Sequence, residues 1–135
     1  MSTPRASRVG PEIQTVIAWH DALNAGDAER LLALSHPDVE VGGPRGSARG
    51  ARILREWVDR ADIRLEPGRT FSKAGTVVVE QGAEWQSADA GNVQTVASVF
   101  VASDGLVTSV VRYPDLASAF HAANLDESHE MPADS

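Results

Sequence analysis

A change of hydrophobic period at residue 63 limits what this chain can fold into more than any other feature: apolar residues recur at helical spacing up to Ala61 and alternate from Ile63 onward. Ile13, Val16, Ile17, Trp19, His20 and Leu23 form one stripe that starts at Pro11, a residue suited to a first helical turn, and stops at Asn24-Ala25-Gly26-Asp27. The pattern predicts a helix over about 11–25. Asp27 is placed to cap a short second helix carrying Leu31, Leu32 and Leu34 and ending before Pro37. Val39-Glu40-Val41 alternates as a short strand and leads into the glycine-rich stretch 42–50. A third helix follows at about 50–61, with Ile53, Leu54, Trp57, Val58 and Ala61 on its inner face.

After the change of period, turn signals divide the chain into runs at 63–72, 76–87, 93–103 and 106–113, which read as four strands. Pro67-Gly68, Lys73-Ala74-Gly75, Asp89-Ala90-Gly91-Asn92 and Ser103-Asp104-Gly105 offer glycine where positive φ is needed, so an antiparallel meander is the simplest topology. A last helical segment, 116–123, ends near Asn124. Helices first and strands afterwards place the chain in the α+β class rather than among parallel α/β sheets. Its 135 residues suit one domain, expected over 11–125 between a flexible segment 1–10 and an acidic tail 126–135.

Several classes of chemistry are disfavoured. The chain has no cysteine, which removes disulfides, thiolate metal sites and cysteine nucleophiles. A net charge of −7 argues against nucleic acid or an anionic membrane as partner of the whole protein. No apolar run approaches the roughly 20 residues of a membrane span, and Met1-Ser2-Thr3-Pro4-Arg5 leads into no signal-peptide core, so a cytoplasmic location is expected. His20, His36, His121 and His129 form no His-x-His or His-Glu-x-x-His, and only His36 and Glu40 stand at a chelating spacing; neither a metal nor a cofactor is expected. There is no Gly-x-Ser-x-Gly elbow, and the loop 42–50 lacks the Gly-Lys-Ser/Thr ending of a P-loop. Seven of the 12 basic residues crowd between 45 and 69, but Arg52–Glu56, Arg55–Asp59 and Glu56–Arg60 are i,i+4 pairs and read as a solvated helix face.

Trp19, Trp57 and Trp85 each lie on an apolar stripe and serve either as core or as the lining of a pocket for an apolar ligand. On the longest run, Val77, Val79, Gln81, Ala83 and Trp85 share one face, and Val78, Glu80, Gly82, Glu84 and Gln86 the other. The first set is the more apolar and is expected inside; a slip of one residue brings Glu80 and Glu84 inside instead.

The element order, together with Trp19-His20-Asp21-Ala22-Leu23-Asn24-Ala25-Gly26-Asp27, His36-Pro37-Asp38-Val39-Glu40-Val41, Gly43-Pro44-Arg45-Gly46 with Gly50, and Val110-Val111-Arg112-Tyr113-Pro114-Asp115-Leu116, resembles the cone-shaped fold of the nuclear transport factor 2 superfamily, in particular its SnoaL-like branch, over about 12–125. The resemblance implies three N-terminal helices packed on a curved antiparallel sheet around a pocket. Mapped onto this chain, the pocket is formed by Trp19, Val41, Gly43, Trp57, Gln81, Trp85, Ala97, Val110 and Arg112. It implies a small hydrophobic ligand, polyketide- or terpenoid-like. One reading is a cyclase, isomerase or hydrolase in which Arg112 polarises a substrate oxygen and Glu80, Glu84 or Glu40 moves the proton. The other is a ligand-binding or dimerisation module without chemistry. In the related ketosteroid isomerases the oxyanion tyrosine, the general base and the second oxyanion acid fall on Trp19, Gly43 and a position at or near Ala97. Gly43 and Ala97 cannot move a proton, so steroid isomerisation is not expected. A homodimer is expected through the outer sheet face, because Val96 and Phe100 on one side and Ala97, Val99 and Val101 on the other leave two apolar faces for one layer of helices.

Overall fold

The computed structural model describes residues 11–43, 46–61, 63–85 and 93–131. Its order is α1 (Pro11–Asn24), α2 (Ala28–Ala33), β1 (Ser35–Gly43), β2 (Gly46–Arg49), α3 (Ala51–Ala61), β3 (Ile63–Lys73), β4 (Thr76–Trp85), β5 (Val93–Ser103), β6 (Leu106–Tyr113) and α4 (Leu116–Ala123), followed by a 3₁₀ turn at Glu127–His129. The fold is α+β, with a curved, unclosed sheet of six strands and four α-helices among the described residues. Asp27 caps α2 as its position predicts, its carboxylate accepting the Arg30 N–H at 3.0 Å. Pro44, Arg45 and the turn expected at 89–92 lie outside the described residues.

The strands run in the order β2-β1-β6-β5-β4-β3. From β3 to β6 they form the expected antiparallel meander, but β1 pairs parallel with β6, Val41 lying opposite Val110, so the sheet is mixed rather than antiparallel throughout. The glycine-rich stretch is not a plain loop either, since Gly46–Arg49 turns back as an edge strand on β1. At the other edge, the Asn24 side chain completes β3: it accepts the Leu65 N–H at 2.9 Å and donates to the Leu65 carbonyl at 2.8 Å. The last residue of α1 thus takes the place of a neighbouring strand.

Two bulges break strict alternation. In β3 the register shifts between Pro67 and Thr70, so Pro67-Gly68 is a bulge within a strand rather than a turn. Gly68 has no positive φ; a Cβ there would lie 3.1 Å from the Glu80 carbonyl oxygen, so close backbone approach selects glycine. The step between Val101 and Ala102 displaces β6 by one residue, so that Val107 and Val110, three apart, both reach the inner core.

That inner core lies between the sheet and α1, α2 and α3, with Trp19 edge-on to Phe100 at 5.2 Å and Leu54, Val79 and Val107 fully buried around them. The outer face carries a second cluster, Phe71, Val78 and Ala97, covered by Ala119 of α4 and by Leu125, with Phe71 edge-on to Phe120 at 4.7 Å. The chain therefore covers much of its own outer face. This removes most of the reason for expecting a second subunit there. Nor does the domain stop at 125: Arg69 bonds Glu127 at 3.0 Å and Glu130 at 2.9 Å, and the Met131 N–H donates to the Thr70 carbonyl at 2.8 Å. Residues 126–131 are part of the packed unit instead of a free tail.

Candidate ligand pocket

A cavity of about 840 Å³ opens between the inner sheet face, α1, α3 and the β1–β2 hairpin. That is within the roughly 300–1,000 Å³ of ordinary small-molecule sites. Its wall is mainly apolar, built from Trp19, Val41, Ile53, Trp57, Leu65 and Val110. Polar groups enter at few points, among them Arg112, Ser98, Gln94 and, on α3, Glu56.

Arg112 follows Val110 by two residues in β6, and both share the inner face. Its guanidinium reaches Gly43: a Cβ built on that glycine would stand 3.9 Å from Nη2. Burial depresses the Arg112 pKa, but a guanidinium keeps its proton at any ordinary pH. The cavity therefore carries a fixed positive charge in an apolar wall.

Trp19 contributes only its ring. Its indole N–H donates to Ser35 Oγ at 3.2 Å, and Ser35 in turn donates to the Leu31 carbonyl at 2.8 Å. Beside it lies a buried polar chain. His20 Nδ1 stands 2.9 Å from the Val16 carbonyl, His20 Nε2 stands 2.8 Å from Gln81 Nε2, and Ser98 Oγ donates to Gln81 Oε1 at 2.8 Å. Burial lowers the His20 pKa, outweighing the Val16 carbonyl and the charges of Asp21 and Glu66, so the ring is neutral.

Of the residues expected to meet a ligand, Trp19, Val41, Gly43, Trp57, Val110 and Arg112 line the cavity. Gln81 is on the expected face but lies beneath Ser98, 1% exposed. The Trp85 side chain lies outside the described residues. Ala97 requires correction. It is in opposite phase to Val96 and Phe100 and packs in the outer cluster with Phe71 and Val78, so the inner position is that of Ser98.

The candidate acid–base groups are corrected in the same way. Val77, Val79 and Ala83 are in the inner core, which turns Glu80 and Glu84 of the same strand to the outer face. Glu40 alternates with the inward Val39 and Val41 and is held by the hydroxyls of Ser47 at 3.1 Å and Ser109 at 3.2 Å. Among the described lining residues the carboxylate is Glu56, half-exposed and paired with Arg52 at 3.4 Å. The i,i+4 pattern identified that ion pair; it gave no sign that the same residue meets the pocket. Ser98 was more legible, since it shares the phase of Val96 and Phe100.

Among the described residues, no group of three or more His, Asp or Glu side chains could hold a metal ion, and no helix is long and apolar enough to cross a membrane.

With this geometry the comparisons are consistent. An NTF2-like protein of unknown function from Cytophaga hutchinsonii superposes with a TM-score of 0.69 at 16% identity, covering 89% of this chain and 99% of its own. TerC, co-crystallised with polyporic acid, gives 0.69 at 24% identity, covering 84% and 97%. A protein from Sinorhizobium meliloti with the provisional name polyketide cyclase gives 0.64 at 22%, covering 73% and 93%. At these identities the likeness is one of fold. No curated protein matches the sequence. The sequence profile of the SnoaL-like domain, however, matches residues 16–110, more than two thirds of the chain, and the protein belongs to that family.

Proposed function

We propose that this protein binds a small, largely apolar molecule through an anionic or carbonyl oxygen placed against Arg112. One observation carries the reading: a permanently charged, partly buried guanidinium in a cavity walled by Trp19, Ile53, Trp57 and Leu65. A guanidinium offers five N–H donors in a planar fork that matches carboxylate and carbonyl oxygens, and the apolar wall favours a hydrophobic body behind such an oxygen. The co-crystallisation of TerC with polyporic acid supports a small organic ligand. Binding is preferred to catalysis because Glu56, the carboxylate among the described lining residues, is already engaged by Arg52 at the rim. Polyketide- and terpenoid-like molecules fit the description. A homodimer is retained on narrower ground, with a second copy packing on half-buried Val101 and Val111 of the outer face.

Titration of the intrinsic tryptophan fluorescence with apolar carboxylates and their neutral amides tests this directly, since Trp19 and Trp57 line the cavity. Carboxylates are expected to bind, and Arg112→Leu to weaken them by about ten- to a hundredfold, the worth of one charge-assisted hydrogen bond. Binding that ignores Arg112→Leu, or prefers the amides, would overturn the reading.

A further inference from the structure

The hydrogen-bond polarity of the pocket floor follows from a single carbonyl. Val16 C=O can only accept, so His20 Nδ1, 2.9 Å away, must carry a proton. In the neutral ring Nε2 is then bare and accepts, which obliges Gln81 to present its NH₂ there. The Gln81 amide oxygen therefore faces Ser98 and accepts the Ser98 hydroxyl proton at 2.8 Å. Each step leaves one option. His20, Gln81 and Ser98 are 1%, 1% and 2% exposed, so solvent does not scramble the order.

Ser98 has one proton, and it is committed away from the cavity. What Ser98 Oγ offers the cavity is lone pairs, and among the described residues no hydrogen bond to them is made. Ser98 lies directly opposite Arg112 in the β5–β6 pairing, so the two side chains stand on the same face as close neighbours. An acceptor and a cationic donor are thus side by side.

Resting on the binding role proposed above and narrowing it, we infer that the pocket selects molecules with a hydroxyl next to a carboxylate or ketone oxygen, the hydroxyl donating to Ser98 Oγ while Arg112 takes the neighbouring oxygen. A ligand whose second group can only accept, such as an ether, meets lone pair with lone pair. Gln81 and His20 act as positioning residues, through the proton they hold on the far side of Ser98.

The test compares benzilate, its O-methyl ether and diphenylacetate, three apolar carboxylates that differ only at the adjacent carbon, by titration against the full chain. Benzilate is expected to bind about tenfold more tightly than the ether, and more tightly than diphenylacetate despite being the more polar. In Ser98→Ala that tenfold gap is expected to close. Equal affinity of all three, or a gap that survives Ser98→Ala, would overturn the hydroxyl selection and leave the Arg112 role intact. Failure of all three to bind would overturn both. A ligand-free measurement covers the case in which Ser98→Ala does not fold: ¹⁵N shifts of His20 in the unmodified protein are expected to show a protonated Nδ1 and a bare Nε2, and the opposite tautomer would refute the inference.

Discussion

At the scale of single residues, Gly43 and His20 carry most of the information. The resemblance to ketosteroid isomerases maps a general base onto Gly43, and in this chain a Cβ built at that position would stand 3.9 Å from Arg112 Nη2, an ordinary van der Waals contact that leaves room for a side chain. Gly43→Ala is therefore expected to fold and bind as before. Gly43→Asp is expected to fold and to lose anionic ligands, because its carboxylate would occupy the guanidinium; retained binding of apolar carboxylates in fluorescence titrations would contradict this. His20 makes a prediction about pH. Burial holds its pKa below the ordinary 6.5, so above that pH both folded and unfolded states are neutral and its contribution is complete. As pH falls below 6.5 the unfolded chain takes up a proton that the core refuses, and stability declines. Asp115 and Asp126, lowered by hydrogen bonds from Ser118 and Ser128, lose their contributions only below the ordinary value of 3.8, so the windows separate. Urea unfolding between about pH 7 and pH 5 is expected to show the decline in the parent protein and a smaller one in His20→Gln.

At the scale of elements, what joins them is often one side chain. Asn24 closes α1 onto the free edge of β3 by serving both backbone groups of Leu65. Asn24→Ala is expected to destabilise the fold by about 1–3 kcal/mol, since it leaves a part-buried donor and acceptor without partners. Asn24→Asp keeps the acceptor and loses the donor, so it is expected to set two acceptors against each other at the Leu65 carbonyl. Chemical denaturation of the two variants against the parent protein checks both losses. The element boundaries were largely legible, because hydrophobic period, Asp27 and the glycine turns are local signals. The bulges in β3 and β6 were not. Each depends on the partner strand, Gly68 meeting Glu80 and Val107 meeting Ala102, which no window along one strand contains.

At the scale of the whole molecule, the described lining of the cavity is drawn from both halves of the chain, on either side of residue 63. Because the cavity opens on the inner face of the sheet and the proposed second copy packs on the outer one, ligand affinity is expected to be the same at low and high protein concentration. Titrations run beside light scattering check this, and an affinity that rises with self-association would mean that a second copy completes the site. The covering of Phe71, Val78 and Ala97 by α4 and Leu125 also shows why oligomeric state was hard to read from alternation: an apolar face records only that something covers it.

Local patterning of the chain specifies the α+β class and the places of most helices and strands, because each is a periodicity repeated over neighbouring residues; the inward phase of Val110 and Arg112 came from the family resemblance instead. Only the tertiary structure decided which strand β1 would join, which side of the sheet α4 would cover, and which polar groups would meet in the pocket. The reason is range. His20 and Gln81 are 61 positions apart and Gln81 and Ser98 17, so their chain of hydrogen bonds exists only once the sheet has curved around α1. Ala97 and Ser98 differ by one position along the strand, and packing against Phe71 or beneath the cavity assigned their roles.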